Sequence, residues 1–393
     1  MRQVSVWAYP WDLHDIGLDT ALGRIRAAGG TMVSLAASYH AGRFLQPGNP
    51  RRRVWFPQDG TVYYRTDPER WKSRTIRPLQ ADVVTDEGDF LAQVCDRRDS
   101  GGPAVSCWTV CLHNTRLGQA HPGDVLRNAF GDPALYGLCP SSPAAQDYVV
   151  TLCREIAEVY APDRIELESP DFMGFAHGYH HEKDGLGLTP DQAFLLGICF
   201  CDHCMTAARA EAVPADAARA DVVAILEAAL AAELPQTAFP AFAADGIAVF
   251  DGRPALAAYL RWRGRPVARL IAAIRDAVPK ATRLLLIDFA GSWQGGVDLG
   301  LIAPHVDGVL HCAYTTAPDR IPAVLAPVRA MLRDKTLVTG FHLFHPDVAD
   351  RADLAARVAA AAPFSDGFNF YNLGLVPPAR LDWIRTALPA PTG

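Results

Sequence analysis

A chain of 393 residues can bury a large core, enough for one elaborated barrel or two average domains. Its formal net charge of -6 offers no general basic surface to a polyanion, so nucleic acid is not an expected partner. Nine cysteines, an odd number, together with a start that enters a strand-like run at once, argue against a secreted disulfide framework; reduced thiols and a cytoplasmic protein are expected, and no apolar run approaches the roughly 20 residues that span a bilayer.

In chain order, β-rich runs are expected at Val4–Ala8, Met32–Ala37, Ala104–Leu112, Arg164–Glu168, Arg283–Asp288, Gly308–Cys312, Thr336–Phe341 and Gly367–Tyr371. Helical spacing is plainest between them, at Ala21–Ala28, Phe90–Arg98, Pro143–Tyr160, Pro254–Ala277, Ile321–Leu332 and Asp353–Ala361. Eight such alternations are the number at which a parallel sheet closes, so the expected fold is α/β, a single (β/α)8 TIM barrel over residues 1–393. Long insertions interrupt it after strands 2 and 4, at about 41–80 and 169–253, the second containing Ala-rich helices near 207–234. Both are loops at the C-terminal ends of strands, the end where barrels assemble their sites.

Strand alternation puts Glu166 and Glu168 on one face and Ile165 and Leu167 on the other. Packing favours turning Ile and Leu toward the helices, which aims both carboxylates into the barrel, with Glu168 at its mouth. Glu168 is therefore the candidate acid; Glu166 either contacts substrate or forms a core ion pair with an Arg. Asp288, ending the fifth strand, is the expected second carboxylate, with Phe289 and Trp293 flooring a sugar site. Trp7, Tyr9, Tyr39, His40, His113, Asn114, His311, Tyr314, His342, His345, Tyr371 and Asn372 collect at other strand ends, a mixture of rings and hydrogen-bonding groups that suits a neutral polyol. The run His177-Gly178-Tyr179-His180-His181-Glu182 either hydrogen-bonds substrate or, through His177, His180 and His181, holds a catalytic metal.

Cys199-Phe200-Cys201-Asp202-His203-Cys204 has a compact chelate spacing, and Cys139 in Leu138-Cys139-Pro140-Ser141-Ser142-Pro143 is the candidate fourth ligand of a structural zinc. The order Cys-Pro-x-Ser-Pro, helix, strand ending in Glu, then C-x-C-x-x-C resembles the β-galactosidases of glycoside hydrolase family 42 over residues 138–205. The resemblance implies a (β/α)8 barrel, zinc on Cys139, Cys199, Cys201 and Cys204, and Glu168 as general acid. The chain has Leu167 where the family has Asn before its acid, and no counterpart of the family's nucleophilic Glu on the seventh strand, so it reads as a relative of such barrels. The expected function is glycoside hydrolysis by paired carboxylates on a carbohydrate substrate. A metal-dependent sugar isomerase or hydrolase and a non-catalytic sugar-binding barrel are the alternatives, and the sequence is compatible with a homo-oligomer.

Overall fold

The computed structural model describes residues 2–389 apart from 178, 180 and 181. All eight expected strands form: β1 Gln3–Ala8, β2 Met32–Tyr39, β3 Ala104–Val110, β4 Arg164–Glu168, β5 Arg283–Phe289, β6 Gly308–Cys312, β7 Thr336–His342 and β8 Gly367–Tyr371. Each pairs in parallel with the next, and β1 pairs with both β2 and β8. The sheet is thus a closed (β/α)8 barrel, and closure removes the edges on which strands aggregate.

Two apolar layers define the parity of every strand. Ile165, Leu167, Leu284, Leu286, Val309 and Leu337 belong to the layer between strands and helices, whereas Trp7, Trp108, Leu285, Ile287, Leu310 and Val338 fill the barrel interior. Strands carrying apolar side chains on both faces are what a sheet covered by helices on one side and closed on itself on the other requires. In β2 the register slips between Ala36 and Ser38. This bulge resets the parity, so that Tyr39 joins Ala36 in the interior group.

The helices begin and end on local signals. Pro143–Tyr160 starts with Ser142 accepting from the Ala145 amide at 3.2 Å, with Pro143 in the first turn, and ends at Ala161 in the left-handed region (φ 41°). The expected helix over 254–277 is two helices, Pro254–Trp262 and Gly264–Ala277; Gly264, at the break, lies close against Asp298 and Leu301. A last helix, Pro378–Ala387, not anticipated from the sequence, packs on Leu18–Ala27. No helix among the described residues is long and apolar enough to cross a membrane.

The segment between β2 and β3 folds as short strand pairs, Phe44–Leu45 with Val54–Trp55, and Thr61–Val62 added to β2 itself. Buried polar bonds tie it to the chain after β1: Gln46 Nε2 donates to Asp12 at 2.7 Å and Asn49 Nδ2 to Asp15 at 2.7 Å. The longer segment between β4 and β5 carries helices at Pro190–Leu196, Asp202–Ala210 and Ala215–Leu230 before Pro254–Trp262.

Candidate active site

Arg164, Glu166 and Glu168 share the inner face of β4, and each has a different electrostatic setting. Glu166 is wholly buried, paired with Arg164, and accepts hydrogen bonds from Trp7 Nε1 at 2.6 Å and Ser34 Oγ at 2.5 Å. Every charge in that group is compensated, which is what an interior carboxylate needs. Glu166 is thus the core ion pair rather than a group open to substrate. Trp7, only 2% exposed, is the floor it anchors, and its ring stacks on Trp108 at 4.8 Å.

Trp108 carries the arrangement upward, because its indole N–H donates to Glu168. Glu168 is half-buried at the barrel mouth, with no cation bonded to it among the described residues. Burial raises its pKa from 4.5 to about 7, with the indole bond partly opposing the rise. Around it stand Tyr9, Tyr39 and Tyr371, whose hydroxyls meet at 3.0 Å (Tyr9–Tyr39) and 2.7 Å (Tyr9–Tyr371). Tyr371 packs edge-on against Trp7 at 5.3 Å, and Tyr314 stacks on His342 at 3.8 Å. His342 Nδ1 is held by Asp347 at 2.6 Å, which fixes its ring orientation. The result is a polar-tipped aromatic cup, and the β2 bulge is what brings Tyr39 into it.

Asp288 lies elsewhere than the sequence suggested. β5 alternates with Leu285 and Ile287 inside, so Asp288 turns with Leu284 and Leu286 to the helix side. There it meets its register partner His311, Nδ1 to Oδ2 at 2.7 Å, while the buried His311 Nε2 finds no hydrogen-bond partner among the described residues. The run Leu284-Leu285-Leu286-Ile287 is apolar on both faces, so it carries no period-2 signal from which the parity of Asp288 can be read.

The carboxylate that does sit in the electrostatic field of Glu168 is Asp171, which the sequence reading passed over. Ser169 adopts φ 49°, a left-handed turn that non-glycine residues seldom take, and the chain doubles back at the end of β4. Asp171 then rests against Gly295, where a Cβ would collide with its carboxylate, and the Phe172 amide bonds Gly295 O at 3.0 Å. Burial raises the Asp171 pKa to about 7; the charges of Asp288 and Glu168 add to the rise and Arg263 opposes it. The only sequence signal was an Asp three residues past the strand, after Pro170.

The remaining candidates divide. Trp293 packs on Phe194 at 5.2 Å and Phe242 at 5.6 Å, inside the second insertion. Asn114 caps the helix Thr115–Ala120 and donates to Gly60 O at 3.2 Å, so its amide is used in structure. His345 is exposed in the loop after β7. His113 and His177 come together, their ring centroids 4.3 Å apart, and His40 lies 4.1 Å from His113. His180 and His181 lie outside the described residues.

The four thiols converge. Cys139, Cys199, Cys201 and Cys204 are buried with their sulfurs within 4.8 Å of one another, the one such group of potential ligands among the described residues. Four of the separations are 3.4, 3.5, 3.8 and 4.0 Å. A tetrahedron with metal–sulfur arms of about 2.3 Å has edges of about 3.8 Å, so the cluster fits a tetrathiolate metal. Backbone amides of Arg127 and Ser141 point at Cys199 and Cys139 Sγ from 3.3 and 3.4 Å, donors suited to thiolate. The cluster joins the loop after β3 to the insertion after β4, both of which border the barrel mouth.

No known family's sequence profile matches the chain, and no curated protein matches it by sequence. Solved structures do. The PgaB (BpsB) glycoside hydrolase domain from Bordetella bronchiseptica aligns with TM-score 0.58 at 12% identity over 94% of each chain. The catalytic domain of a β-amylase from Paenibacillus polymyxa aligns with TM-score 0.57 at 12% identity, over 98% of this chain and 99% of that one. A β-galactosidase from the psychrophilic Marinomonas ef1 aligns with TM-score 0.59 at 11% identity, over 98% of this chain and 59% of its own length. The shared property is the fold. At such identities the likeness establishes the (β/α)8 barrel, and the chemistry has to be argued from the residues at its mouth.

Proposed function

We propose that this barrel processes glycosides, with Glu168 as the general acid. The observation that carries the reading is the Glu168 carboxyl itself, at the C-terminal end of β4, with its pKa raised to about 7 and an aromatic, hydroxyl-tipped cup around it. A carboxyl that is still partly protonated at neutral pH can give its proton to a leaving oxygen as the glycosidic C–O bond breaks. Asp171 is the second carboxylate in this reading, with the nearby Arg263 favouring its ionised form. Ionised Asp171 then takes the proton of an attacking water, or bonds to the anomeric carbon itself, as the carboxylate separation dictates. That solved barrels of the same fold are described as glycoside hydrolases adds to the reading, as does the resemblance of residues 138–205 to family 42. Nine free thiols suit a reducing, cytoplasmic setting.

Glu168→Gln tests it. The variant is expected to lose about 10²- to 10⁴-fold in kcat on glycosides with poor leaving groups and much less on activated aryl glycosides, which need little protonation. Equal losses on both, or none, would remove Glu168 from the role. In the same reading Cys139, Cys199, Cys201 and Cys204 hold one structural zinc, whose contribution is folding energy rather than chemistry. Purified protein is expected to contain one zinc per chain by metal analysis, and Cys201→Ser to lose it and melt at lower temperature.

A further inference from the structure

Beyond the mouth of the barrel, the loops after β2, β3 and β4 enclose two open cavities. One, about 580 Å³, is lined by His40, Arg43, Phe56, His113 and His177; the other, about 570 Å³, by Leu135, Phe175, Glu182, Lys183 and Asp184. Tyr136 and Tyr179 line both, with ring centroids 6.4 Å apart, so the two are one groove partitioned by a pair of tyrosines. Each half alone has the size of an ordinary small-ligand site, about 300–1,000 Å³. A relay of ring contacts leads from the groove to Glu168. His40 stacks on Tyr39 at 4.3 Å, and Tyr39 packs edge-on at 4.9 Å against Trp108, the ring that holds the Glu168 carboxyl.

The lining chemistry selects one kind of occupant. Large rings stand open along the groove: Phe175 is 45% exposed, Tyr179 47% and Phe56 67%, a cost a protein seldom bears without a partner for the surface. The Tyr136 hydroxyl donates to Gly174 O at 3.0 Å, which pins the ring and leaves its face to the groove. The three histidines are neutral at physiological pH. Burial lowers His113 to about 2 and His177 to about 4, each further lowered by neighbouring imidazoles, and burial lowers His40 as well. His40 Nδ1 donates to Ala41 O at 2.7 Å, so its Nε2 is left as an acceptor. Arg43 and Lys183 are balanced by Glu182 and Asp184, so the lining has no net positive charge to attract an anion. Among the described residues the histidine nitrogens do not converge as the thiols do.

We propose that this groove binds the chain of a neutral oligosaccharide running outward from the bond at Glu168, stacked on Tyr136, Phe175 and Tyr179 and hydrogen-bonded by His40, His113 and His177. The substrate class is then an oligosaccharide or polysaccharide rather than a small glycoside. The proposal rests on the reading of Glu168 as the acid, but binding along the groove can be measured without turnover.

In the Glu168→Gln background, calorimetry with gluco-, manno- and galacto-oligosaccharides of two to six residues is expected to find at least one series whose affinity rises at least tenfold with length. Phe175→Ala, which trims an exposed ring, and Tyr136→Ala are each expected to abolish that rise. With Glu168 intact, the same two substitutions should lower kcat/KM for the hexasaccharide at least tenfold more than for a small aryl glycoside. Affinity that is flat with length in every series, no binding at millimolar concentration, or tighter binding of an acidic oligogalacturonate would each overturn the groove. Length-dependent binding that survives while no glycoside is cleaved supports the groove and instead overturns the role of Glu168.

Discussion

Glu166 and Glu168 sit two residues apart on the same face of one strand, yet their surroundings assign them opposite duties. Glu166 has a cation and two further donors, so it is satisfied and closed to solvent. Glu168 has one indole N–H and a half-buried position, so ionising it is costly. The difference arises below and above a single indole pair: Trp7 donates down to Glu166, Trp108 donates up to Glu168, and the stacked rings connect the two carboxylates. A buried carboxylate with full compensation stabilises an architecture. A less compensated one at an opening is primed for proton transfer, at some cost to stability.

The strongest way to break this comparison is to make the same substitution at both positions. Glu166→Gln leaves Arg164 without its counter-charge in the barrel interior and is expected to cost about 3–5 kcal/mol, read from denaturant unfolding. Glu168→Gln should cost nothing at neutral pH or above, and stabilise. Equal destabilisation by the two would mean that their environments do not differ in the way described.

A pH titration sharpens the contrast. Because Glu168 has a folded-state pKa of about 7 against 4.5, the stability it contributes is fully present below about pH 4.5 and is lost as the pH rises through 7. The loss is up to about 3 kcal/mol, at 1.36 kcal/mol per pKa unit. Asp12 and Asp171, also raised to about 7, act in the same direction, so the quantity to measure is the difference between wild type and Glu168→Gln. That difference should vanish near pH 4.5 and favour the variant at pH 8. Activity should fall with an alkaline limb centred near 7 in kcat/KM, because the acid must carry its proton.

The smallest expected effect tests the indole pair. Trp108→Phe removes the donor that favours ionised Glu168, so the alkaline limb should move upward by about 1–2 pH units, given that a hydrogen bond to a charged group is worth about 1.5–3 kcal/mol. Trp7→Phe leaves Glu166 its bonds to Arg164 and Ser34 and should move that limb far less. A larger shift from Trp7→Phe than from Trp108→Phe would reverse the assignment of the two donors.

Much of this organisation is legible in the sequence. The eight strands are, because β-branched and leucine-rich runs alternate with helical spacing and with strong stops such as Ser142-Pro143. The parity of β4 is, because Glu166-Leu167-Glu168 alternates in polarity. The bulge after Ala36 is not, since nothing in the run Ala36-Ala37-Ser38-Tyr39 marks the extra residue that brings Tyr39 inward. Nor is the role of Asp171, which depends on a left-handed Ser169 and on how close Gly295 comes.

What the sequence by itself determined is therefore local: which runs are strands, which are helices, which thiols share a short chelate spacing, and which face Glu168 occupies where polarity alternates. What only the tertiary structure decided is convergence. Cys139 meets three thiols at least 60 positions away, Asp171 comes into the electrostatic field of Glu168, and loops after three different strands line the two cavities that share Tyr136 and Tyr179. The physical reason is that local patterns record each residue's preference for water or core, period by period. Which polar groups then meet is set by barrel closure, by a one-residue bulge and by the parity of strands that are apolar on both faces, and none of these leaves a periodic trace in the chain.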